Sequence, residues 1–312
     1  MKKLLFFSLA TVAILFAACK ENEPGVTNNY YTTNNTYNNV TPASNLIPGE
    51  LPGEFSVSIS KRVHFSQGNL QYNAKQNFWR FAEHQYDTIG AGNKNISATY
   101  DGYIDLFGWG TSGYNGKNPW MTSTTDTDYG NGRNDLAGTE YDWGVYNAIR
   151  NGGNETNLWR TLTGDEWLYL FHERANAQKL FALGSVDGLN GAILLPDGWI
   201  LPEGITFNPS TENGLGWNGS TYHNYTSGAD NFKDNAYTLE EWAKMEANGA
   251  VFLPAAGYRN GTNARIVGTW GGYWAITTYD ATTAYFVLSS SDELRPKGSN
   301  YRHYGYCIRL VR

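Results

Sequence analysis

The sequence predicts an α+β domain built around an antiparallel sheet. Short runs in which apolar and polar residues alternate stand before and after two helix signals, an order that is typical of α+β proteins. The chain is rich in Gly (35), Tyr (22) and Trp (11), whereas charged residues make up only 17% of its 312 residues. This composition favours strands and long loops over a helical bundle, which would need more Glu, Lys, Leu and Ala.

The predicted strands follow from period-two alternation of apolar residues. Phe55, Val57 and Ile59 alternate with serines, and the pattern continues to Phe65, which predicts a strand over this stretch. Further alternating or apolar runs predict strands at 70–72, 77–81, 251–254, 272–276, 284–288 and 306–311. Residues 108–140, rich in Gly, Asn and Thr, are predicted to form long loops.

The last predicted strand has two expected faces. Alternation places Tyr306, Ile308 and Leu310 on one face, and Cys307, Arg309 and Val311 on the other. We expect this segment to close the sheet, with its arginines solvated or ion-paired. Since Cys307 has no second cysteine in the folded part of the chain, we expect it to act as a small buried hydrophobe.

Two capping boxes predict two helices. Thr163 is followed three residues later by Glu166, and Thr238 is followed by Glu241. In such a box, the threonine hydroxyl and the glutamate carboxylate each accept a hydrogen bond from the other residue's backbone N–H. Gly249 predicts the end of the second helix.

The first 18 residues predict a signal peptide. Two lysines precede an apolar run that is too short to cross a bilayer comfortably. Two alanines then lead to Cys19, and this junction resembles a bacterial lipoprotein signal, in which the cysteine receives the lipid; the alternative is an ordinary secretory signal. The acidic stretch after Cys19 resembles the export tag of surface lipoproteins of Bacteroidota. We therefore expect an outer-membrane lipoprotein, exposed at the cell surface, that contacts the membrane through its lipid anchor only.

The remaining chain divides by composition. Residues 19–50 are rich in Asn and Thr and poor in aliphatic residues, which predicts a flexible tether. Residues 51–312 are predicted to form the folded domain. The net charge of −6 argues against nucleic acid as the partner, because proteins that bind phosphate backbones need a basic surface.

Four segments, at 162–167, 252–259, 272–274 and 305–312, resemble those of a known family, both in sequence and in their order along the chain. They are similar to a group of surface domains of Bacteroidota and Fibrobacter related to the formylglycine-generating-enzyme branch of the C-type lectin fold. The resemblance implies a compact C-type lectin-like domain. Its N- and C-terminal strands would pair, and its long loops would form a ligand-binding face.

The enzymes of that branch need groups that this chain lacks. Formylglycine generation uses a pair of cysteines, and Cys307 stands alone after Cys19. The sulfoxide-forming relatives use a histidine-rich iron site, but the five histidines here have no metal-ligand spacing. The calcium motif of sugar-binding animal lectins is also missing. The sequence therefore predicts no catalytic residue, no enzyme activity and no cofactor.

One stretch is a candidate for calcium. Asp126, Asp128, Asn131, Asn134 and Asp135 gather oxygen ligands in a segment that favours turns. The alternative is a solvated loop, because the stretch departs from the helix–loop–helix calcium pattern.

The chain end is the predicted ligand-binding segment. Residues 294–312 contain five Lys or Arg residues and no acidic residue, interleaved with tyrosines. Arg and Tyr dominate binding hot spots because they offer large contact areas and hydrogen bonds. We predict ligand contact by Tyr279, Asp280, Arg295, Lys297, Asn300, Tyr301, His303 and Tyr304.

A second resemblance points to the same segment. The tail at 305–312 is similar to that of the variable proteins of diversity-generating retroelements, which also have a C-type lectin fold. Their mutable positions would correspond to residues 268–304. The resemblance implies that these residues form the ligand-binding face.

These observations predict a non-enzymatic, surface-displayed lipoprotein that binds a protein or glycan ligand through its C-terminal loops. The alternative is a carbohydrate-active enzyme or a glycan-utilisation accessory protein. It would use the aromatic loops 108–146, where Trp109, Trp120, Tyr129 and Trp143 would stack on sugars.

Overall fold

The computed structural model describes residues 45–226 and 230–312. The predicted signal peptide 1–18, the lipidation site Cys19 and the tether up to residue 44 lie outside the described residues. The described α-helices are Trp143–Tyr146 (α1), Gly164–Leu168 (α2) and Leu239–Ala247 (α3). In the described part of the chain, no helix is long and apolar enough to cross a membrane.

The described strands before residue 180 have two to four residues, and the longest strands all lie after it. They are β1 (Phe55–Ser56), β2 (Arg62–Val63), β3 (Leu70–Asn73), β4 (Phe78–Phe81), β5 (Tyr103–Ile104), β6 (Arg160–Thr161), β7 (Phe181–Val186), β8 (Leu189–Leu194), β9 (Leu215–Trp217), β10 (Tyr222–Asn224), β11 (Ala236–Tyr237), β12 (Val251–Pro254), β13 (Tyr258–Asn260), β14 (Asn263–Arg265), β15 (Trp270–Thr278), β16 (Thr283–Ser290), β17 (Glu293–Tyr301) and β18 (Leu310–Val311).

Most strands pair in antiparallel fashion. The largest sheet has the order β15-β16-β17-β10-β9, a second has the order β11-β7-β8-β12, and a third has the order β4-β3-β5. Only the pairing of β11 with β7 is parallel among the strand pairs described. The prediction of an α+β fold with mainly antiparallel sheets and few helices is confirmed.

Strand β15 is buried on both faces. Tyr273 and Ala275 point into a first core, which they share with Trp167 of α2. Trp274 and Ile276 point into a second core on the other face of the sheet. Because neighbouring residues of a strand point to opposite faces, one strand supplies side chains to both cores. A third core packs α3 against β8 and β12.

The chain end follows the predicted alternation but not the predicted strand. Only Leu310–Val311 forms a strand, paired with β6. Even so, Tyr306, Ile308 and Leu310 lie in the second core, whereas Cys307 and Val311 lie in the first. The predicted faces are therefore correct.

The two ends of the domain pair through their backbones. The N–H of His64 donates to the carbonyl of Arg312, and the N–H of Arg312 donates to the carbonyl of His64, both at 3.0 Å. This is the pairing that the resemblance implied. The expectation that Arg309 is solvated or ion-paired is wrong: its guanidinium is buried and donates to the carbonyls of Ser66 (3.1 Å) and Phe252 (2.7 Å).

Both capping boxes are confirmed. The N–H of Glu166 donates to Thr163 Oγ1 (3.1 Å), and the N–H of Thr163 donates to the Glu166 carboxylate (2.9 Å). Thr238 and Glu241 form the same pair of bonds at the start of α3. After Leu168, α2 continues into a π-helical turn, Tyr169–Glu173.

Two N-terminal predictions are corrected. The expected strand from Phe55 to Phe65 is interrupted by a turn between β1 and β2, which leaves Ile59 97% exposed. The predicted tether ends too late, because the Glu50 side chain is only 3% exposed and its carboxylate accepts hydrogen bonds from the N–H of Ile47 (2.9 Å) and from Arg312 (2.9 Å). Folded contacts therefore begin by Ile47, ahead of the predicted boundary at Leu51.

The prediction for Cys307 is confirmed. The thiol is fully buried, and Asn69 Nδ2 donates to its Sγ at 3.3 Å. Burial raises the pKa of the Cys307 thiol well above its ordinary value, so the thiolate does not form near neutral pH.

Asp105 gives the fold a testable pH dependence. Its buried carboxylate accepts hydrogen bonds from the N–H of Ile89 (2.8 Å) and from Asn93 Nδ2 (2.7 Å), and desolvation raises its pKa to about 6. The folded protein therefore holds a proton below pH 6 that the unfolded chain releases near pH 4. This group makes the folded state more stable at pH 5 than at pH 7.5, by about 1 kcal/mol.

The substitution Asp105→Asn removes this titration. We expect the difference in unfolding free energy between pH 5 and pH 7.5, measured in urea, to change by about 1 kcal/mol between the wild type and the variant. An unchanged difference would contradict the raised pKa of Asp105.

Candidate functional site

The predicted ligand-binding segment lies where β17 ends. After Tyr301 the chain turns and runs back beside β13. The N–H of Gly305 donates to the carbonyl of Arg259 (2.8 Å), and the N–H of Arg259 donates to the carbonyl of Gly305 (2.9 Å). This pairing places Tyr304 beside Tyr258.

Five aromatic side chains meet here, and we call them the tyrosine surface: Tyr258, Trp270, Tyr301, His303 and Tyr304. Ring centroids are 5.3 Å apart for Tyr258 and Tyr304, 5.8 Å for Tyr258 and Trp270, and 4.5 Å for His303 and Tyr304. Tyr301 is 50% exposed, and Tyr258, Trp270 and Tyr304 are half-buried. The rings thus support one another, and four of the five residues remain partly accessible to solvent.

Tyr258 and Trp270 are not among the eight predicted contact residues, although Trp270 lies within residues 268–304, which the retroelement resemblance placed on the ligand-binding face. Tyr258 lies inside the segment 252–259 that carried the family resemblance, and Trp270 lies just before the segment 272–274. Their separation in sequence from Tyr304 hid the contact, which depends on the pairing of residues 259 and 305.

Arg302 anchors the turn that carries Tyr301 and His303. Its side chain is buried, and its guanidinium donates to the carbonyls of Gly132 (2.6 Å) and Asp280 and to the Thr278 hydroxyl. It also lies over the indole ring of Trp109, 4.4 Å from the ring centroid. The Arg302 guanidinium therefore connects the loop that contains Trp109 and Gly132 to the turn below the tyrosine surface.

A carboxylate holds His303. Asp126 Oδ1 lies 2.7 Å from His303 Nδ1 and accepts the His303 backbone N–H at 3.2 Å. The His303 side chain is largely covered. Its ring is fixed between Asp126 and Tyr304 and supports the neighbouring tyrosines.

Two predicted contact residues use their polar atoms inside the protein. The Asp280 carboxylate accepts the N–H groups of Thr282 (2.8 Å) and Thr283 (2.7 Å), and these bonds lower the pKa of Asp280 to about 2. Asn300 Nδ2 donates to the Tyr306 hydroxyl at 2.7 Å. Asp280 and Asn300 thus shape the turn and the strand end below the tyrosine surface.

A β-bulge sends Arg295 and Lys297 to opposite faces of the sheet. Between the pairs Phe286–Gly298 and Leu288–Arg295, β17 has two residues where β16 has one. The extra residue reverses the alternation of side chains. Pro296 is tolerated at this point because a bulge has no need of its missing N–H.

The two basic side chains consequently have different surroundings. Arg295 lies near the ring of Phe286 on the side of the second core, and its guanidinium pairs with Glu293 at 2.6 Å. Lys297 lies on the side of the first core, 4.7 Å from the Tyr285 ring centroid, and pairs with Asp165.

The eight predicted contact residues therefore do not form one continuous site. Tyr301, His303 and Tyr304 lie together, and Asp280 and Asn300 lie beneath them. Tyr279 packs against Tyr285 at 5.4 Å and joins Lys297 on the other face.

The expectation for the aromatic loops 108–146 is corrected. Trp109, Tyr129 and Trp143 are buried in the core and cannot stack on a sugar. Gly108 and Gly130 pack directly against the rings of Tyr129 and Trp109, which explains how Gly-rich loops can bury large aromatics. Of the four rings named, only Trp120 is half-exposed, and it stacks on Tyr72 with centroids 6.0 Å apart.

The oxygen-rich stretch 126–135 uses its carboxylates on protein donors. Asp126 binds His303, Asp128 accepts from the Ser123 hydroxyl, and Asp135 accepts the N–H of Thr278 (2.8 Å). In residues 45–226 and 230–312 there is no group of three or more Asp, Glu, His or Cys residues arranged to hold a metal ion. The three aspartates among the five candidate calcium ligands thus accept hydrogen bonds within the protein.

Two arginines of the predicted segment allow a matched test of stability. We expect Arg302→Ala to lower the unfolding free energy by about 3 kcal/mol, because it leaves buried carbonyls without donors and opens a cavity beside Trp109. We expect Arg295→Ala to cost less than about 1 kcal/mol, because its ion pair is at the surface. Urea unfolding of both variants checks this, and similar losses would contradict an anchoring role for Arg302.

Comparison with known proteins adds no family to these observations. No family model, no curated protein and no solved structure matches the chain.

Proposed function

We propose that this protein is a non-enzymatic, surface-displayed lipoprotein that binds an extracellular protein ligand through its tyrosine surface. The observation that carries the proposal is the contiguity of Tyr258, Trp270, Tyr301 and Tyr304, which are solvent-accessible and held in place from below.

The chemistry of this surface favours a protein ligand. Tyrosine and tryptophan give large contact areas with few rotatable bonds, and they are enriched in binding hot spots. The rings are packed against one another and against the second core, so little side-chain freedom is lost on binding. A glycan ligand is the alternative that the same experiment would reveal.

We propose a C-type lectin-like fold for the domain. Support comes from the antiparallel sheets, the two capped helices and the backbone pairing of residues 64–70 with 308–312. In such a fold, the loops beside the final segment form the ligand face, and the tyrosine surface lies there. The resemblance to retroelement variable proteins supports the same location.

The proposed location rests on the N-terminal sequence. Residues 1–18 would direct export, Cys19 would carry the lipid, and the Asn/Thr-rich tether would hold the domain away from the outer membrane at the cell surface. The lipid would be the membrane contact, which leaves the tyrosine surface free for partners in the medium or on other cells.

The enzymatic alternative loses much of its support. Three of its four aromatic residues, Trp109, Tyr129 and Trp143, are buried. The tyrosine surface contains one histidine, His303, which is engaged by Asp126. Binding accounts for these side chains better than general acid–base catalysis does, because the one histidine among them is already held by a carboxylate inside the protein.

The proposal is tested by screening the full chain against arrays of extracellular proteins and of glycans. For a protein ligand found there, we expect Tyr301→Ala and Tyr304→Ala each to weaken binding at least tenfold, because each removes a hot-spot ring. Tyr225→Ala is the matched control, since Tyr225 is 69% exposed and lies outside the tyrosine surface. Its affinity should equal that of the wild type, by surface plasmon resonance.

Three outcomes would contradict the proposal. They are unchanged protein binding in both tyrosine variants, binding of glycans alone at the tyrosine surface, and turnover of a polysaccharide that these variants abolish.

A further inference from the structure

We infer that the protein has a second binding site, a cleft that takes a short saccharide carrying carboxylate groups. The cleft has a volume of about 620 Å³ and is lined by β3, β4, residues 112–120 and residues 146–154. Its volume falls within the range of about 300–1,000 Å³ that is usual for sites of small ligands. None of the five residues of the tyrosine surface lines it.

Aromatic rings form its apolar walls. Tyr72, Phe78, Trp120 and Tyr146 line the cleft, and Tyr146 is 41% exposed. Trp120 is stacked nearly parallel to Tyr72, with 22° between the ring planes, and Tyr146 packs on Tyr114 at 5.4 Å. Tyr72 itself is buried, so Trp120 and Tyr146 are the rings that can cover the C–H faces of pyranose sugars, which are apolar although their edges carry hydroxyls.

Amide side chains supply the polar part. Asn77, Asn118, Asn147 and Asn154 line the same cleft. Asn77 Oδ1 accepts from the Tyr72 hydroxyl (2.9 Å), and Asn147 Nδ2 donates to the carbonyls of Ser112 (2.9 Å) and Trp143 (3.0 Å). That leaves the Nδ2 donor of Asn77 and the Oδ1 acceptor of Asn147 for sugar hydroxyls, which both donate and accept. Asn77 and Asn154 adopt left-handed backbone conformations, with φ of 49° and 57°, which asparagine tolerates well. A cleft with aromatic walls and several amides therefore suits a saccharide better than a purely apolar ligand.

Arg150 favours a negatively charged ligand. Its guanidinium lies 3.6 Å from the centroid of the Phe78 ring, and its backbone N–H donates to the Trp79 carbonyl at 3.0 Å. Within residues 45–226 and 230–312, Arg150 has no ion pair with an acidic side chain. Since an arginine fork pairs well with a carboxylate, an acidic sugar would complete this site.

The residues that line the cleft suit binding of a saccharide but not its hydrolysis. Among the described residues that line the cleft there is no Asp, Glu, His or Cys. Glycoside hydrolysis ordinarily requires two carboxyl groups on either side of the scissile bond. The cleft therefore binds the acidic saccharide without cleaving it.

The test measures binding of trisaccharides to the full chain by isothermal titration calorimetry. The probes are trimers of galacturonate, glucuronate and mannuronate, each compared with the neutral trimer of the corresponding hexose. We expect at least one uronate trimer to bind at least tenfold more tightly than its neutral counterpart. We expect Arg150→Gln to remove this preference, and Trp120→Ala to abolish binding.

Tyr146→Ala provides a second cleft variant in case Trp120→Ala fails to fold, because Tyr146 is exposed and its loss leaves the core intact. We expect at least a tenfold loss of affinity in Tyr146→Ala with an unchanged melting temperature. Tyr301→Ala and Tyr225→Ala are the matched controls and should bind as the wild type does, which separates this site from the tyrosine surface.

Any of three results would overturn the inference: absence of measurable binding for all three uronate trimers, equal affinity for the neutral trimers, or binding that survives in both Trp120→Ala and Tyr146→Ala.

Discussion

The buried guanidinium of Arg302 is the interaction on which the arrangement of the tyrosine surface depends. An arginine out of solvent must have its donors satisfied, and here backbone carbonyls and one hydroxyl satisfy them. The acceptors come from two segments: Gly132 lies in a loop, whereas Thr278 ends β15 and Asp280 lies in the turn that follows it. The charge therefore fixes the loop and the turn relative to each other, and Tyr301 and His303 on either side of it acquire defined positions.

Arg259 and Arg309 use the same principle elsewhere. Both are fully buried. Arg259 Nε and Nη1 donate to the carbonyls of Leu106 (3.2 Å) and Gly261 (2.5 Å), although its Nη2 has no hydrogen-bond partner among the described residues, while Arg309 donates to the carbonyls of Ser66 and Phe252. Long loops leave backbone carbonyls without ladder partners, and a planar cation with five N–H donors can satisfy several of them at once. Three arginines thus tie the C-terminal third of the chain to segments that lie far away in sequence.

Local signals made much of the fold predictable. The two capping boxes and the alternation of residues 306–311 depend on neighbours in sequence, and they were predicted correctly. The hairpin of β7 and β8 was overlooked, although its turn, Asp187-Gly188, lies between two apolar runs and has positive φ at both residues. An Asp-Gly pair between two apolar runs is a local sequence pattern that predicts a β-hairpin, so this hairpin was predictable.

The candidate site was harder to predict because its geometry depends on long-range contacts. Arg295 and Lys297 were both predicted to contact the ligand, but the bulge at Pro296 and Lys297 places them on opposite faces of the sheet. Nothing in a Gly-rich loop reveals that Trp109 is buried, since its partners Ala275 and Arg302 are remote in sequence. The five-ring surface likewise needs residues 258 and 304 to meet through backbone pairing.

Hydrogen–deuterium exchange on an Arg302→Met variant tests the anchoring role of Arg302 most directly. The amides of Trp109, Gly130 and Tyr304 donate to the carbonyls of Arg302, Trp109 and Tyr301, so they report on the joined loop and turn. We predict that these amides exchange at least tenfold faster in the variant, whereas the amides of the β7–β8 hairpin keep their protection. Unchanged exchange at the three amides would contradict the account.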